Sequence, residues 1–436
     1  MRRRQVLAAA AGTGIGSLAG CLEDDCPPRS NAETPPDGWP VPGYNAANAG
    51  ITADSTLGTD VDSPDEPKSL DRWRFDAWEY DDEIQGGATA PVVDDERVYF
   101  AYGHPSYGPD PEGGALFALE ESTGELEWVY TFGTNASGAP ALVGDGILVG
   151  DANGTFRRLE RETGDLVWET DLESAVRTPV VADGRCYVQC ADGRVVAVDV
   201  ASGERCWTAR YGGFLGRFIG GECETGGRPA ITDDAVVVTT GVEGDPRDRT
   251  VVRVLERESG DERWELEIDD GLYGPPRSPV VDEGMIFVAV PNRLIAFDLE
   301  GEREWSFATG FRETSAPAVD GDTVYCNAKN AYAIDRESGE ERWRHVNLAP
   351  DDSWQSSKRV PLVATPAVAD GVIAAAFGAL DAATGDHLWG DVGNDEDSDY
   401  FPGAIRGPPI PIEGPAITNG ALYATTTSGR LVKVEP

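Results

Sequence analysis

The sequence predicts an all-β fold, a single eight-bladed β-propeller, because two motifs alternate along most of the chain at one period. In the first motif a tryptophan follows a glycine by four positions, and this spacing occurs seven times. In the second, a proline precedes two small or branched apolar residues, and this pattern occurs eight times. A shared period of about 40–50 residues is typical of a propeller. The tryptophan pairs are Gly124/Trp128, Gly164/Trp168, Gly203/Trp207, Gly260/Trp264, Gly301/Trp305, Gly339/Trp343 and Gly385/Trp389, and the proline motifs start at Pro91, Pro140, Pro179, Pro229, Pro279, Pro317, Pro366 and Pro415.

The unit from Pro179 to Trp207 shows how one period builds one blade. Three short runs rich in β-branched residues are separated by tight turns, and Arg205 begins a fourth strand. Proline is tolerated at the first residue of a strand, where no ladder donor is needed. Four antiparallel strands form one blade.

The repeated glycine and tryptophan have different predicted roles. The glycine supplies a positive φ in the turn before the last strand, and the tryptophan packs between neighbouring blades. Ligand binding by the tryptophans is the alternative, but residues repeated in every unit fit packing better. The predicted blade residues are Trp73, Trp128, Trp168, Trp207, Trp264, Trp305, Trp343 and Trp389.

Both ends of the repeat array are incomplete. Trp73 sits in a final strand without a preceding unit, and the unit that starts at Pro415 has three strands and no tryptophan. Pairing the N-terminal strand with the C-terminal blade completes an eighth blade and removes the open edges of the ring. We therefore predict one closed propeller over residues 70–436 rather than two domains.

Residues 1–20 resemble a twin-arginine lipoprotein signal peptide. Arg3 and Arg4 precede a short apolar stretch, and Leu18-Ala19-Gly20-Cys21 matches the lipobox of lipoproteins. We expect export by the twin-arginine (Tat) route, lipidation of Cys21, and anchoring to the outer face of the cell membrane. A soluble secreted protein that is cut nearby is the alternative.

Residues 21–69 read as an acidic tether rich in proline and glycine. One stretch differs from the rest, because Trp39 and Tyr44 stand among prolines and glycine. We predict that a segment near 39–50 docks on the propeller.

The chain is strongly acidic, with a formal net charge of −41. Loss of residues 1–20, which carry three arginines and no acid, would move this value to −44. Acid excess with only four lysines beside 32 arginines resembles the proteins of extreme halophiles. At molar salt a Debye length of about 3 Å screens the self-repulsion. Nucleic acid is excluded as a partner, because such binding depends on attraction to phosphates, and we expect a monomer.

The connectors of the blades predict a plain face and an elaborated face. The plain face carries the short turns between strands one and two and between strands three and four. The elaborated face carries the other connectors, and all long insertions belong to it: 102–113, 211–227, 241–249, 269–277, 347–362 and 391–407. Aromatic residues and arginine anchor interfaces, so we predict a protein-binding site on this face formed by Tyr102, His104, Tyr107, Phe214, Arg217, Phe218, Tyr273, Trp354, Tyr400 and Phe401.

The repeat resembles the pyrroloquinoline-quinone (PQQ)-like propeller family. Ala118-Leu119-Glu120, Thr123-Gly124 and Trp128 follow the family pattern, as does the unit that ends at Trp343. The resemblance implies one of two functions. Quinoprotein dehydrogenases oxidise alcohols or sugars with PQQ and Ca²⁺, whereas a non-enzymatic branch includes the BamB-like lipoproteins, which are scaffolds for protein partners.

The residues favour the scaffold branch. The sequence has no adjacent cysteine pair and no Cys-x-x-Cys-His motif, and His104, His345 and His387 lie in different units. The acidic run 394–399 lacks the features of an EF-hand. We predict a non-catalytic protein-interaction module without catalytic residues, metal or cofactor. The alternative is a PQQ- and Ca²⁺-dependent alcohol or sugar dehydrogenase with a divergent site.

Six cysteines remain beyond Cys21, and an exported protein permits disulfides. Cys190 and Cys223 both lie toward the elaborated face, so we predict a disulfide between them. Buried free thiols are the alternative.

Overall fold

The computed structural model describes a ring of eight β-sheets. The described residues are 3–4, 26, 35–46, 48–52, 73–80, 86–104, 113–210, 227–241, 249–269, 277–311, 313–346, 364–375, 378–389, 414–418, 420–425 and 429–435. Three short strands precede the first complete sheet: β1 (Arg3–Arg4), β2 (Ile51–Thr52) and β3 (Arg74–Asp76). A 3-10 turn at Ala77–Glu79 follows β3.

Each sheet is one blade, and the blades follow each other in chain order. Blade 1 contains β4 (Gly87–Ala88), β5 (Val92–Val93), β6 (Arg97–His104), β7 (Gly114–Glu120) and β8 (Leu126–Phe132). Blade 2 contains β9 (Ala141–Val143), β10 (Gly146–Gly150), β11 (Thr155–Glu160) and β12 (Leu166–Asp171). Blade 3 contains β13 (Val180–Ala182), β14 (Arg185–Gln189), β15 (Arg194–Asp199) and β16 (Arg205–Arg210). Blade 4 contains β17 (Ala230–Ile231), β18 (Ala235–Gly241), β19 (Arg249–Glu256) and β20 (Glu262–Asp269), and β1 pairs with the edge of β20.

The second half of the ring repeats the arrangement. Blade 5 contains β21 (Val280–Asp282), β22 (Met285–Val290), β23 (Arg293–Asp298) and β24 (Arg303–Ala308). Blade 6 contains β25 (Ala318–Asp320), β26 (Thr323–Asn327), β27 (Ala331–Asp335) and β28 (Glu341–His345). Blade 7 contains β29 (Ala367–Ala369), β30 (Val372–Ala375), β31 (Gly378–Asp381) and β32 (His387–Trp389). Blade 8 contains β33 (Ala416–Thr418), β34 (Ala421–Thr425) and β35 (Arg430–Val434), with β3 as its fourth strand.

The predicted all-β, eight-bladed propeller is confirmed, and so is its closure. Strand β3 pairs antiparallel with β35, so that Arg74 lies opposite Val432 and Asp76 lies opposite Arg430. The backbone N–H of Lys433 also donates to the carbonyl of Trp73 at 3.1 Å. The first and last parts of the propeller thus meet in one sheet, and we call this pairing the seam.

Seven of the eight blade tryptophans lie between neighbouring blades, each against the repeated glycine of the next blade. The indole of Trp168 in blade 2, for example, covers Gly203 in blade 3, where φ is +75°. Its Nε1 donates to the carbonyl of Val200 at 2.9 Å. The same contact and hydrogen bond are formed by Trp73, Trp128, Trp207, Trp264, Trp305 and Trp343, with donor–acceptor distances between 2.7 and 3.1 Å. Trp389 ends β32, and its side chain is outside the described residues.

The core consists of apolar layers between adjacent blades. One layer joins Tyr187 and Val195 of blade 3 to Val236 and Leu255 of blade 4, and all four side chains are buried. Apolar area removed from water stabilises the fold by about 25 cal/mol per Å². Because every blade packs on two others, burial is spread around the ring.

Candidate functional site

Residues 39–46 and 48–50, which we call the channel segment, lie along the inner strands of the blades. Its backbone carbonyls accept hydrogen bonds from the third residue of five of the eight proline motifs. These bonds join Val93 N to Trp39 O (2.9 Å), Leu142 N to Pro40 O (2.8 Å), Ile231 N to Ala46 O (2.8 Å), Val319 N to Ala49 O (2.8 Å) and Val368 N to Gly50 O (2.9 Å). The donors belong to blades 1, 2, 4, 6 and 7. The segment therefore follows the ring in blade order and satisfies inner-strand N–H groups that a sheet edge leaves free.

Asn48 is the polar centre of the channel segment. It is fully buried, and its Nδ2 donates to the carbonyls of Pro229 at 2.9 Å and Pro279 at 3.0 Å. Its Oδ1 accepts a hydrogen bond from Nε of the buried Arg228 at 2.7 Å. One side chain thus joins the segment to blades 4 and 5. Its φ of +63° lies in the left-handed region, which asparagine tolerates better than most residues.

Apolar side chains and internal turns hold the rest of the segment in place. Trp39 is 1% exposed and contacts Tyr44, with ring centroids 5.3 Å apart. Val41 is buried in the layer that also contains Val143 and Val181 of blades 2 and 3. Gly50 N donates to Gly43 O at 2.9 Å, which folds the segment back on itself. The segment contains no carboxylate, imidazole, amine or thiol, so it presents an apolar and amide surface to the ring.

A second set of hydrogen bonds links the blades on the elaborated side of the proline motifs. Side chains donate to a backbone carbonyl of the next blade: Gln189 to Thr239 O (3.2 Å), Thr239 to Arg277 O (2.6 Å), Arg277 to Thr314 O (3.2 Å), Asn327 to Ala364 O (2.9 Å) and Thr425 to Thr89 O (2.7 Å). These groups are buried, where each unmade bond costs about 1–3 kcal/mol. The base of the elaborated face is therefore held by side chains that the sequence analysis missed. The one feature of the sequence that could have indicated these side chains is the presence of polar residues near the proline motifs.

The predicted disulfide between Cys190 and Cys223 is wrong. Cys190 is a buried free thiol, and burial raises its pKa to about 12. Cys223 lies outside the described residues. The structure instead joins Cys26 to Cys206 on β16, with a Cα–Cα distance of 5.0 Å. A bond between residues 180 positions apart leaves no local signal in the sequence.

Among the described residues, Cys186 and Cys326 are also buried free thiols, as the alternative expected. Burial raises the pKa of Cys326 to about 12. Thiols with such pKa values are inert at neutral pH, because the thiolate is the reactive form.

One predicted residue of the elaborated face is not a surface residue. Tyr102 is 3% exposed and packs against Gly429 of blade 8, and burial raises the pKa of its phenol. It is a core residue, because it lies within β6 rather than in the loop that follows. For His104, at the end of β6, the structure describes only the backbone. The other eight predicted residues lie outside the described residues: Tyr107, Phe214, Arg217, Phe218, Tyr273, Trp354, Tyr400 and Phe401.

Within the described ranges, no group of three or more histidine, cysteine, aspartate or glutamate side chains is placed to hold a metal ion. No helix in the described part of the chain has the length and apolar character needed to cross a membrane.

A family model described as outer membrane protein assembly factor BamB matches residues 60–212 and 191–436, which together cover most of the chain. The chain belongs to this family. The match includes all eight blades and begins after the channel segment.

Individual relatives are more distant. BamB of Moranella endobia is 27% identical over 261 residues, which is 57% of this chain and 61% of that protein. BamB of Yersinia pestis is 30% identical over 116 residues, 23% of this chain and 30% of that protein. The 1-butanol dehydrogenase (cytochrome c) of Thauera butanivorans is 28% identical over 51% of this chain and 35% of that enzyme. The chain thus matches less than two thirds of the length of each of these relatives.

Solved structures share the fold with both branches of the family. BamB from Moraxella catarrhalis superposes with a TM-score of 0.54 at 15% identity, covering 85% of this chain and 97% of that one. A europium-containing methanol dehydrogenase superposes with a TM-score of 0.64 at 12% identity, covering 91% of this chain and 98% of that one. At these identities the likeness concerns the fold, which does not choose between the two functions.

Proposed function

We propose that this protein is an exported, lipid-anchored propeller that acts as a non-catalytic scaffold for protein partners at the cell surface. Membership of the BamB family supports a scaffold, and the lipobox at Cys21 supports the anchor. The elaborated face carries the partner, because its loops hold the aromatic and arginine residues that anchor interfaces.

The observation that carries the proposal is the channel segment. Organic cofactors bind in concave pockets, and in a propeller the blades converge on a central channel. Here Trp39, Val41 and Asn48 are buried between the inner strands of this channel. Because the chain's own backbone uses the inner-strand donors, a quinone at that level would have to displace it.

A quinoprotein dehydrogenase is the second candidate function. The Thauera butanivorans relative named 1-butanol dehydrogenase favours it. A PQQ site in this chain would have to use residues of the elaborated side, above the channel segment.

Calorimetric titration of the mature protein with PQQ and Ca²⁺, in molar salt, separates the two functions. The scaffold proposal expects no heat of binding beyond dilution. Stoichiometric binding by a folded, β-rich sample would overturn it and would call for dye-linked assays with alcohols and sugars. The matched variant is Asn48→Gly, which keeps the backbone conformation but loosens the channel segment. Binding of PQQ by this variant but not by the wild type would indicate a pocket that the segment covers. Absence of binding by both would indicate that there is no pocket.

Site-specific photo-crosslinking in native membranes tests the partner. A crosslinking amino acid at Tyr107, Phe214 or Tyr273 is expected to give discrete adducts with another protein. The same amino acid at Ser122 or Ser202, in plain-face turns, is the control. Equal adduct patterns on both faces would contradict the assignment of the partner to the elaborated face.

A further inference from the structure

The N-terminal chain enters and leaves the ring on the plain face. The first strand of each blade runs from the elaborated face to the plain face. Trp39 pairs antiparallel with Val93 in the first strand of blade 1, so the chain enters from the plain face. Strand β2 pairs parallel with β29 of blade 7, so the chain returns toward that face.

The disulfide fixes an earlier point of the same chain at the rim of the plain face. Cys206 follows the plain-face turn at Ser202 and Gly203 and is the second residue of β16 in blade 3. Cys26 is bonded to it. Once residues 1–20, which include β1, are removed, the described N-terminal residues are attached to the propeller at two places, Cys26 and the channel segment, and both are reached from the plain face.

The position of Cys26 shortens the reach of the proposed anchor. Cys26 lies five positions after Cys21, and an extended chain covers at most about 18 Å over that length. Without the disulfide, the channel segment would be the first attachment, and Trp39 lies 18 residues after Cys21. That length would allow the propeller to move as far as about 65 Å from the lipid.

We infer that the disulfide orients the propeller, holding the plain-face rim of blade 3 against the lipid surface and directing the elaborated face away from it. This inference rests on the proposed lipidation of Cys21. A scaffold held in this way presents its long loops to partners instead of to its own membrane.

Three of the five exposed large apolar side chains in the described residues lie on this rim, whereas Tyr80 and Val346 lie at the other end of the strands. Leu166 and Val167, at the start of β12 in blade 2, are 45% and 49% exposed, and Leu126 at the start of β8 is 36% exposed. All three follow plain-face turns in blades adjacent to or near blade 3. Apolar side chains at this rim fit contact with a lipid surface better than contact with water.

The test measures which rim lies near the lipid. The full chain is isolated in membranes of a host that lipidates it. An azide-bearing amino acid at position 166 or 346 carries the donor dye, so that no cysteine has to be labelled. Val346 is 49% exposed and follows the last strand of blade 6, across the ring and at the other end of the strands. We expect a donor dye at position 166 to transfer energy to headgroup acceptors about twofold more efficiently than one at 346, since the tether is short.

Cysteine variants identify the disulfide as the cause. Cys206→Ser should reduce the difference between the two positions, whereas Cys326→Ala, which removes a buried free thiol, should preserve it. Equal transfer at both positions, or stronger transfer at 346, in a protein whose intact mass includes the lipid would overturn the orientation alone. A mature protein whose mass lacks the lipid would overturn both the orientation and the proposed anchor.

Discussion

Single glycines determine how closely neighbouring blades can approach. A Cβ on Gly203 would lie 2.7 Å from the indole of Trp168, and its φ of +75° is unfavourable for other residues. Gly284 has a similar φ of +83°, but a Cβ there would meet no atom within 4 Å. The two positions therefore separate backbone strain from the packing of the interface.

We predict that Gly203→Ala lowers the free energy of unfolding by about 2–4 kcal/mol, the sum of strain and overpacking. Gly284→Ala should cost only the backbone component, about 1–2 kcal/mol. Denaturant titration of both variants in molar salt measures the difference. Equal losses would show that the tryptophan–glycine contact does not limit the approach of the blades.

Asn48 makes more side-chain hydrogen bonds than any other described residue of the channel segment. Asn48→Gly keeps the positive φ and removes three buried hydrogen bonds, so we predict a loss of about 2–3 kcal/mol. Asn48→Ala should cost about 1 kcal/mol more, because alanine disfavours that φ. Hydrogen exchange is the second readout, since the amides of Ile231 and Val319 should exchange faster while amides between outer strands do not change.

The control is Asn45→Ala, because Asn45 Oδ1 accepts a bond only within the segment in the described contacts, from Ala49 N at 3.1 Å. It should have a smaller effect on stability. Unchanged exchange at Ile231 and Val319 in the Asn48 variants would mean that this side chain does not hold the segment in place.

At the scale of elements, arginine clips join three parts of one blade. In blade 4, Arg263 on β20 contacts Glu256 at the end of β19 at 2.6 Å and Asp234 in the plain-face turn at 2.9 Å. The hydrogen bonds from Arg263 lower the pKa of both carboxyls. Arg342 makes the equivalent contacts in blade 6 with Asp322 and Asp335 and lowers their pKa values.

These clips predict a pH dependence of stability. A carboxyl whose pKa is lower in the folded state stabilises the fold above its unfolded pKa, about 4, and loses that contribution as pH falls. The melting temperature of the wild type should therefore fall more between pH 5 and pH 3 than that of the Arg263→Gln/Arg342→Gln double variant. The double variant keeps nearly the same overall acidity and so controls for general charge repulsion. Parallel pH profiles would contradict a role for the clips.

The repeated elements could be predicted from the sequence, but the unique elements could not. Each blade has the same turns and the same tryptophan, so eight copies of a weak pattern reinforce each other. The channel segment occurs once, and its docking was predicted only from Trp39 and Tyr44. Its path along the inner strands depends on backbone hydrogen bonds, which any residue type can form. The Cys26–Cys206 disulfide could not be predicted for a similar reason, because no local sequence feature links residue 26 to blade 3.

At the scale of the whole molecule, the two ends of the propeller meet at the seam in blade 8, where β3 pairs with β35. Lys433 Nζ contacts Glu121 Oε1 of blade 1 at 2.7 Å, and Arg430 Nε contacts Asp76 Oδ1 at 2.7 Å. The hydroxyl of Tyr423 also contacts Glu121. Elsewhere around the ring, consecutive blades are joined by continuous chain, so we expect the ring to open first at the seam.

A covalent seam should therefore stabilise the whole propeller. Arg74 and Val432 lie opposite each other, next to the pair in which Lys433 N bonds Trp73 O. The alternation of antiparallel pairs makes 74 and 432 a non-hydrogen-bonded pair with close Cα atoms, which suits a disulfide. Because the closed loop would span almost the entire ring, Arg74→Cys/Val432→Cys should gain on the order of 3–5 kcal/mol on oxidation.

The measurement compares denaturation of the oxidised and reduced forms of this variant with the same two forms of the wild type. The wild-type difference accounts for the Cys26–Cys206 bond, so the excess reports the seam alone. A large excess, with slower amide exchange in β3 and β35, is expected if unfolding starts where the ring is not covalently continuous. An excess near zero would mean that the blades separate elsewhere first, and that the channel segment rather than the seam determines how the ring opens.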